Sequence, residues 1–142
     1  MSGISRPSRS IPYLVSRPEH LGRLSAIAAP LGYEFVPIDS LQALQEHLRE
    51  FPATMVWTDS HHPDGDWQDV LTVCRDRSEE LPVVVLALSD SPALWEQANQ
   101  AGVAEFLALP VAAPEVRRCL LSLAATQAAP AMPQALPEKA AV

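Results

Sequence analysis

Hydrophobic positions along this chain fall into two patterns, short apolar runs and longer segments with apolar residues three or four positions apart. The short runs predict five β-strands, at residues 12–16, 33–37, 53–58, 82–88 and 104–109. The fourth run is apolar without interruption, which is typical of a strand that is buried on both faces of a parallel sheet.

The periodic segments predict five helices that alternate with these strands. The first, for example, carries Leu21, Leu24 and Ile27 on one face. The predicted helices begin near Pro18, Leu41, Trp67, Pro92 and Pro114 and end near Pro30, Pro52, Asp76, Ala101 and Ala124. Polar residues at some of these starts can cap free backbone N–H groups, as Asp39 or Ser40 does for the second helix and Ser91 for the fourth. Alternating strands and helices with short connections predict an α/β fold with a doubly wound, five-stranded parallel sheet.

The two ends of the chain differ from its middle in composition. Residues 1–10 are rich in Ser, Arg and Pro and predict a flexible N-terminal arm. Residues 126–142 are rich in Ala and Pro, which predicts an extended tail or a linker to a further domain. The folded domain is therefore expected to span residues 11–125.

Composition and charge exclude several classes of protein. The 142 residues are 48% hydrophobic and 19% charged, enough for a core, and the net charge of −7 argues against direct contact with nucleic acid. No apolar run approaches the roughly 20 residues that span a bilayer, and no secretory signal is present, so a cytoplasmic location without membrane contact is expected. Cys74 and Cys119 lack metal-type spacing and are expected to be buried thiols.

One carboxylate stands at the end of the third predicted strand. Asp59 closes this strand, and a polar turn that contains Pro63 follows before the third helix begins near Asp66. In an open α/β sheet, ligands bind in the crevice outside the carboxyl ends of the strands. Asp59 is therefore the first candidate for a functional residue.

Several segments of the chain match a known pattern in order and spacing. They are Asp59 with Pro63 and Asp66 after it, residues 31–34, residues 81–86, and the stretch AGVAEFLALP at residues 101–110. Together they resemble the receiver domain of bacterial two-component response regulators over about residues 11–125. The resemblance implies a flavodoxin-like fold, a role in signal transduction rather than catalysis, and Asp59 at the position of the phosphoacceptor.

The same resemblance predicts a degenerate pocket. Receivers hold Mg²⁺ with a pair of acids after the first strand, and they contact the phosphoryl group through a hydroxyl after the fourth strand and a Lys after the fifth. The corresponding positions here are Ser16 and Arg17, Ala87, and Leu109. Because Mg²⁺ requires several oxygen ligands, its binding is expected to be weak or absent. The leading hypothesis is therefore a phosphorylation-independent regulatory module, with no enzymatic activity.

Arg17 suggests a further hypothesis about this pocket. A guanidinium beside Asp59 could form a bidentate pair and take the place of the metal, which would fix the switch loops in one conformation. The alternative is that Arg17 points into solvent.

The resemblance also implies an interaction surface formed by the fourth helix, the fifth strand and the fifth helix. The candidate contacts on this face are Trp95, Phe106, Arg117 and Arg118. Phe106 occupies the switch aromatic position, whereas Trp95 is either an exposed anchor or a residue packed on the sheet. The expected partner is a protein, an effector domain such as that of a transcription activator, or a second copy of the chain.

Other functions stay open at this point. Asp59 could accept a phosphoryl group in a rebuilt pocket with Glu19 or Asp64 as metal ligands, or a small molecule, including a nucleotide, could fill the emptied pocket with Arg17 as its anion contact. His61 and His62 could bind a transition metal. A small enzyme or cofactor protein with this architecture is also conceivable, but no nucleophile elbow or phosphate-binding loop is present.

Overall fold

The computed structural model describes residues 10–78, 80–87 and 92–128, the last five as backbone only. It contains a main sheet of five parallel strands in the order β2-β1-β3-β6-β7. Their bounds are Ser10–Leu14 (β1), Glu34–Ile38 (β2), Val56–Asp59 (β3), Val83–Ala87 (β6) and Glu105–Ala108 (β7). Two further strands, β4 (His61–His62) and β5 (Gly65–Asp66), form a small antiparallel hairpin directly after β3.

Helices cover both faces of the main sheet. They are α1 (Pro18–Ala28), α2 (Leu41–Glu50), α3 (Trp67–Arg77), α4 (Pro92–Ala101) and α5 (Ala113–Ala128). One core cluster joins the sheet to α2, α3 and α4, and the other joins it to α1 and α5. The predicted α/β class, with a doubly wound parallel sheet, is confirmed.

Local sequence signals explain the helix bounds near the site. The Ser40 side chain accepts a hydrogen bond from the backbone N–H of Ala43 and caps α2. Asp66 and Asp69 form a reciprocal capping box that starts α3. Gly32 ends the turn after α1 with φ 86°, a left-handed conformation that glycine adopts without steric cost.

The structure differs from the sequence prediction at both ends of the domain. β1 begins at Ser10, two residues before the predicted strand and inside the predicted arm, and it ends at Leu14 rather than at Ser16. α5 continues to Ala128, beyond the predicted boundary at residue 125. The rest of the predicted arm and tail, together with Ser91, lies outside the described residues.

Burial supports the predicted core. All five residues of β6 are buried, as expected for an inner strand of a parallel sheet, and Cys74 and Cys119 are buried free thiols. Across the described residues, no helix combines the length and apolarity that crossing a bilayer requires.

Candidate functional site

A cleft of about 490 Å³ opens at the carboxyl ends of the strands of the main sheet. Its described lining comes from the segments that follow β1, β3 and β7, from the end of β6 and from α4. Its described lining consists of Ser16, Arg17, His20, Asp59, Ser60, His61, His62, Pro63, Leu86, Ala87, Leu94 and Leu109. Asp59 is the single carboxylate in this described lining.

Both carboxylate oxygens of Asp59 are hydrogen-bonded within the protein. Oδ1 accepts a hydrogen bond from the Tyr13 hydroxyl at 2.5 Å. Oδ2 accepts one from the backbone N–H of Ser16 and another from the Ser16 hydroxyl, each at 2.8 Å. His20 Nδ1 lies 3.4 Å from the same oxygen. Asp59 is 3% exposed, so these donors take over most of the solvation that water would supply.

The geometry of the sheet brings Tyr13 to Asp59. Tyr13 pairs with Trp57, which lies two residues before Asp59 on β3, so all three side chains point to the same face. Phe35 fixes the Tyr13 ring by an edge contact, with ring centroids 5.9 Å apart. The phenol body is therefore part of the core, while its hydroxyl reaches the carboxylate at the strand end.

Ser16 follows β1 and is a hydrogen-bond donor where the resemblance implies a metal-binding acid. Its backbone N–H and its hydroxyl both point at Asp59. A donor neutralises part of the carboxylate charge, whereas a second acid would repel that charge until a cation arrived. Ser16 and Tyr13 therefore supply three hydrogen bonds that position Asp59.

Arg17 does not form the predicted pair with Asp59. Its backbone is extended, at the N-cap of α1, and its side chain is 59% exposed. The guanidinium lies 3.9 Å from Glu19, itself 68% exposed. The hypothesis of a bidentate pair between Arg17 and Asp59 is wrong for this structure, because the guanidinium lies near Glu19 while Tyr13 and Ser16 donate to the Asp59 oxygens.

The opposite wall of the cleft is apolar. Ala87, at the end of β6, is buried, and Leu86 and Leu109 lie beside it. The positions that the resemblance assigns to a hydroxyl and to a Lys therefore contribute hydrocarbon surface. Ser89, the nearest other hydroxyl in the sequence after β6, lies outside the described residues.

The acids and histidines around the hairpin make local contacts of their own. Asp64 accepts a hydrogen bond from the backbone N–H of Leu41 and so satisfies the start of α2. His62 Nδ1 accepts from the backbone N–H of Asp64, and His61 Nδ1 lies 3.1 Å from the Ser60 hydroxyl. Within the described residues, no group of three or more His, Cys, Asp or Glu side chains is arranged to hold a metal ion.

The predicted interaction face carries one large exposed aromatic side chain among its candidate residues. Trp95 on α4 is 51% exposed, which favours the anchor interpretation over a residue packed on the sheet. Phe106 is half-buried against the core. Arg118 on α5 forms an ion pair with Glu105 on β7 at 3.3 Å, and Arg117 is exposed. Leu121, 53% exposed on α5, is a further exposed apolar residue that the sequence prediction missed.

Tyr13 is expected to give folding a marked alkaline pH dependence. Burial, and then the hydrogen bond to Asp59, raise the pKa of Tyr13 well above its usual 10.0. The unfolded chain therefore loses this proton at a pH where the folded protein keeps it. The resulting stability is complete below pH 10 and is lost as the pH rises, by about 1.4 kcal/mol per pH unit.

This pH dependence is measured by urea unfolding between about pH 8 and pH 11. Burial raises the pKa of Cys74 from 9.0 to about 12, which adds a loss of the same sign that starts near pH 9. Tyr13→Phe should remove one group's share of the slope above pH 10, and Cys74→Ala should remove the share that starts lower. A slope that is the same in Tyr13→Phe as in the wild type would contradict the buried, proton-retaining tyrosine.

Known proteins resemble this chain in structure. No family model and no curated protein matches the sequence. The signal receiver domain of an HD domain-containing protein from Pseudomonas fluorescens is 19% identical, with a TM-score of 0.75 over 87% of this chain and 98% of that one. The receiver domain of a sensor histidine kinase from Pseudomonas aeruginosa, which has a magnesium ion coordinated in its active site cleft, is 19% identical, with a TM-score of 0.71 over 82% of this chain and 97% of that one.

A third similar structure is the beryllofluoride-activated dimer of the NtrC4 receiver domain, 23% identical, with a TM-score of 0.71 over 82% of this chain and 94% of that one. These three matches span nearly the whole length of each receiver. The chain therefore has the flavodoxin-like fold of receiver domains.

Proposed function

We propose that this chain is a signalling domain with a receiver fold that works through protein contacts, with Asp59 as a structural hydrogen-bond acceptor and not as a phosphoacceptor. The observation that carries this proposal is the engagement of both Asp59 oxygens by Tyr13 and Ser16. A carboxylate attacks phosphorus with a lone pair on oxygen. Donors from Tyr13 and Ser16 occupy three of the roughly four lone-pair sites of the carboxylate and lower its nucleophilicity.

The surroundings of Asp59 also disfavour a metal-assisted reaction. Phosphoryl transfer depends on positioning and on neutralising the charge of the transferred group, and Mg²⁺ prefers several oxygen ligands. Of the two acids that the sequence offered as ligands, Asp64 accepts a hydrogen bond at the start of α2, and Glu19 is exposed beside Arg17. A rebuilt phosphoacceptor site that used Asp64 would have to break that hydrogen bond and compete with the donors to Asp59.

A phosphoryl donor tests this proposal directly. After incubation with acetyl phosphate and Mg²⁺, intact-mass spectrometry should find no phosphorylated protein above the level of an Asp59→Asn control. A receiver domain that accepts phosphoryl groups serves as the positive control in the same buffer. A phosphorylated species that is present in the wild type and absent from Asp59→Asn would overturn the proposal.

The exposed residues on α4 and α5 support a protein partner. α4 and α5 lie on opposite faces of the sheet beside β7, which is an edge strand. Trp95 and Leu121 expose large apolar side chains on these helices, and buried aromatic anchors are common energetic centres of interfaces. We propose a second copy of the chain as the partner, because the similar NtrC4 receiver domain forms a dimer.

Trp95→Ala should weaken self-association without weakening the fold. Because the side chain is half exposed, stability is expected to change by no more than about 0.5 kcal/mol. The dimer dissociation constant, measured by sedimentation velocity, is expected to rise about tenfold or more.

Phe51→Ala is the matched control for Trp95→Ala. Phe51 is 52% exposed, but it follows α2 at the other end of the sheet. A wild type that stays monomeric would contradict the homodimer. A dimer that Phe51→Ala weakens as much as Trp95→Ala would contradict the assigned face.

A further inference from the structure

Three histidine side chains line the cleft, and each contacts a neighbouring protein group through its Nδ1 atom. His20 Nδ1 faces Asp59, His61 Nδ1 faces the Ser60 hydroxyl, and His62 Nδ1 accepts from the backbone N–H of Asp64. Within the part of the chain that the structure describes, none of these rings makes a hydrogen bond through Nε2. All three residues line the cleft.

The contacts of Nδ1 determine what Nε2 can do. Because His62 Nδ1 accepts a hydrogen bond, the proton of the neutral ring is on Nε2, which is a donor. His62 can thus donate through Nε2 to a negatively charged group.

Arg17 adds a positive charge that can pair with an anionic ligand. Its pairing with Glu19 is long and exposed, and pairs of this kind contribute little free energy. Asp59, the single carboxylate of the described lining, is buried and already accepts from Tyr13 and Ser16. The described polar side of the cleft therefore favours an anion.

The other side of the cleft favours hydrocarbon. Leu86, Ala87, Leu94 and Leu109 line it, and its volume of about 490 Å³ is within the usual range for sites that bind small organic molecules. The cleft also lies where the neighbouring strands β1 and β3 lead into helices on opposite faces of the sheet, α1 and α3. This is the usual position of ligands in open α/β folds.

We propose that this cleft binds a small organic anion. The acidic group of the ligand meets Arg17 and His62, and its apolar body lies against Leu94 and Leu109, which are partly exposed in the cleft. Such a ligand contacts the segments after β1, β3 and β7 together with α4, so it can set their arrangement in place of a phosphoryl group. This proposal goes beyond the proposed function and does not depend on it, because the site needs neither Mg²⁺ nor a covalent step.

A pair of probes tests the site. Anilinonaphthalene sulfonate has an acidic group on an aromatic body, and N-phenylnaphthylamine has nearly the same body without the acid. In buffer without Mg²⁺, the sulfonate should bind saturably, on the order of 100 μM or tighter, and at least about tenfold more tightly than the neutral probe. Its amide NMR shifts should centre on residues 16–20, 59–63 and 86–87.

Arg17→Gln removes the exposed charge without touching the core. It should raise the dissociation constant of the sulfonate about tenfold, whereas Arg49→Gln, an exposed arginine on α2 away from the cleft, should leave it unchanged. Inorganic phosphate, which has no apolar body, should bind more weakly than the sulfonate.

Four results would overturn the proposal. They are no saturable binding of the sulfonate, amide shifts outside the cleft, equal affinity of the neutral probe, and phosphate binding as tight as that of the sulfonate. None of these results bears on phosphorylation of Asp59, which the acetyl phosphate experiment measures separately.

Discussion

Replacement of Asp59 with alanine is expected to destabilise the protein by about 1–3 kcal/mol, because it leaves the buried hydroxyl of Tyr13 without an acceptor. The backbone N–H and hydroxyl of Ser16 also lose their partner, but Ser16 is exposed and its donors can turn to water. Asp59→Asn should cost less, since its amide oxygen still accepts from one side while its NH₂ group faces a donor on the other. Urea unfolding at neutral pH measures both variants.

The sign of this change separates two kinds of site. Where carboxylates are clustered to hold a metal, removing one of them relieves repulsion and stabilises the metal-free protein. At Asp59 the neighbours are donors, so the variant should be less stable than the wild type. Asp76→Ala, at an exposed position on α3, is the matched control and is expected to change stability by less than about 0.5 kcal/mol. An Asp59→Ala variant as stable as the wild type, or more stable, would contradict the account.

Tyr13→Phe is expected to cost about 1–3 kcal/mol, because Asp59, a buried carboxylate, then lacks the donor to Oδ1. The ring and its contact with Phe35 remain, so the loss belongs to the hydroxyl. Thr72→Ala is the control, since the Thr72 hydroxyl bonds Gln68 on the exposed side of α3 and its loss should matter little.

A double-mutant cycle of Tyr13→Phe with Asp59→Asn isolates the pair. The change in unfolding free energy of the double variant should differ from the sum of the two single changes by about 1 kcal/mol or more, because both substitutions act on the same hydrogen bond. Additive effects would mean that Tyr13 and Asp59 stabilise the fold independently, which would contradict the proposed role of Tyr13.

The fold could be predicted from the sequence because its signals are strong and local. The continuous apolar run of β6, the periodic helices and the capping residues each indicate one structure, and they agree with one another. The end of β1 was predicted two residues too late because the apolar run continues past Leu14 to Val15. The hairpin of β4 and β5 was missed because two-residue strands leave no periodic pattern.

The site was harder to predict because its contacts join distant parts of the chain. Asp59 was identified from its position at a strand end, but Tyr13 is 46 residues away and was assigned only to an apolar strand. A usable signal did exist, since a tyrosine on an inner strand needs a partner for its hydroxyl. The orientation of Arg17 depends on the turn into α1, which sequence spacing alone does not fix.

The central claim is that Tyr13 and Ser16 hold Asp59 as a structural acceptor, and an amide NMR titration with Mg²⁺ followed by beryllofluoride tests it most directly. Beryllofluoride mimics an acyl phosphate on a carboxylate, and its binding to Asp59 competes with the hydrogen bonds from Tyr13 and Ser16. We expect no shifts of residues 59–60, 87, 106 and 109 at millimolar Mg²⁺ with or without beryllofluoride. Saturable shifts that begin at Asp59 and extend to Ala87, Phe106 and Leu109 would show a working phosphoryl switch and contradict the account.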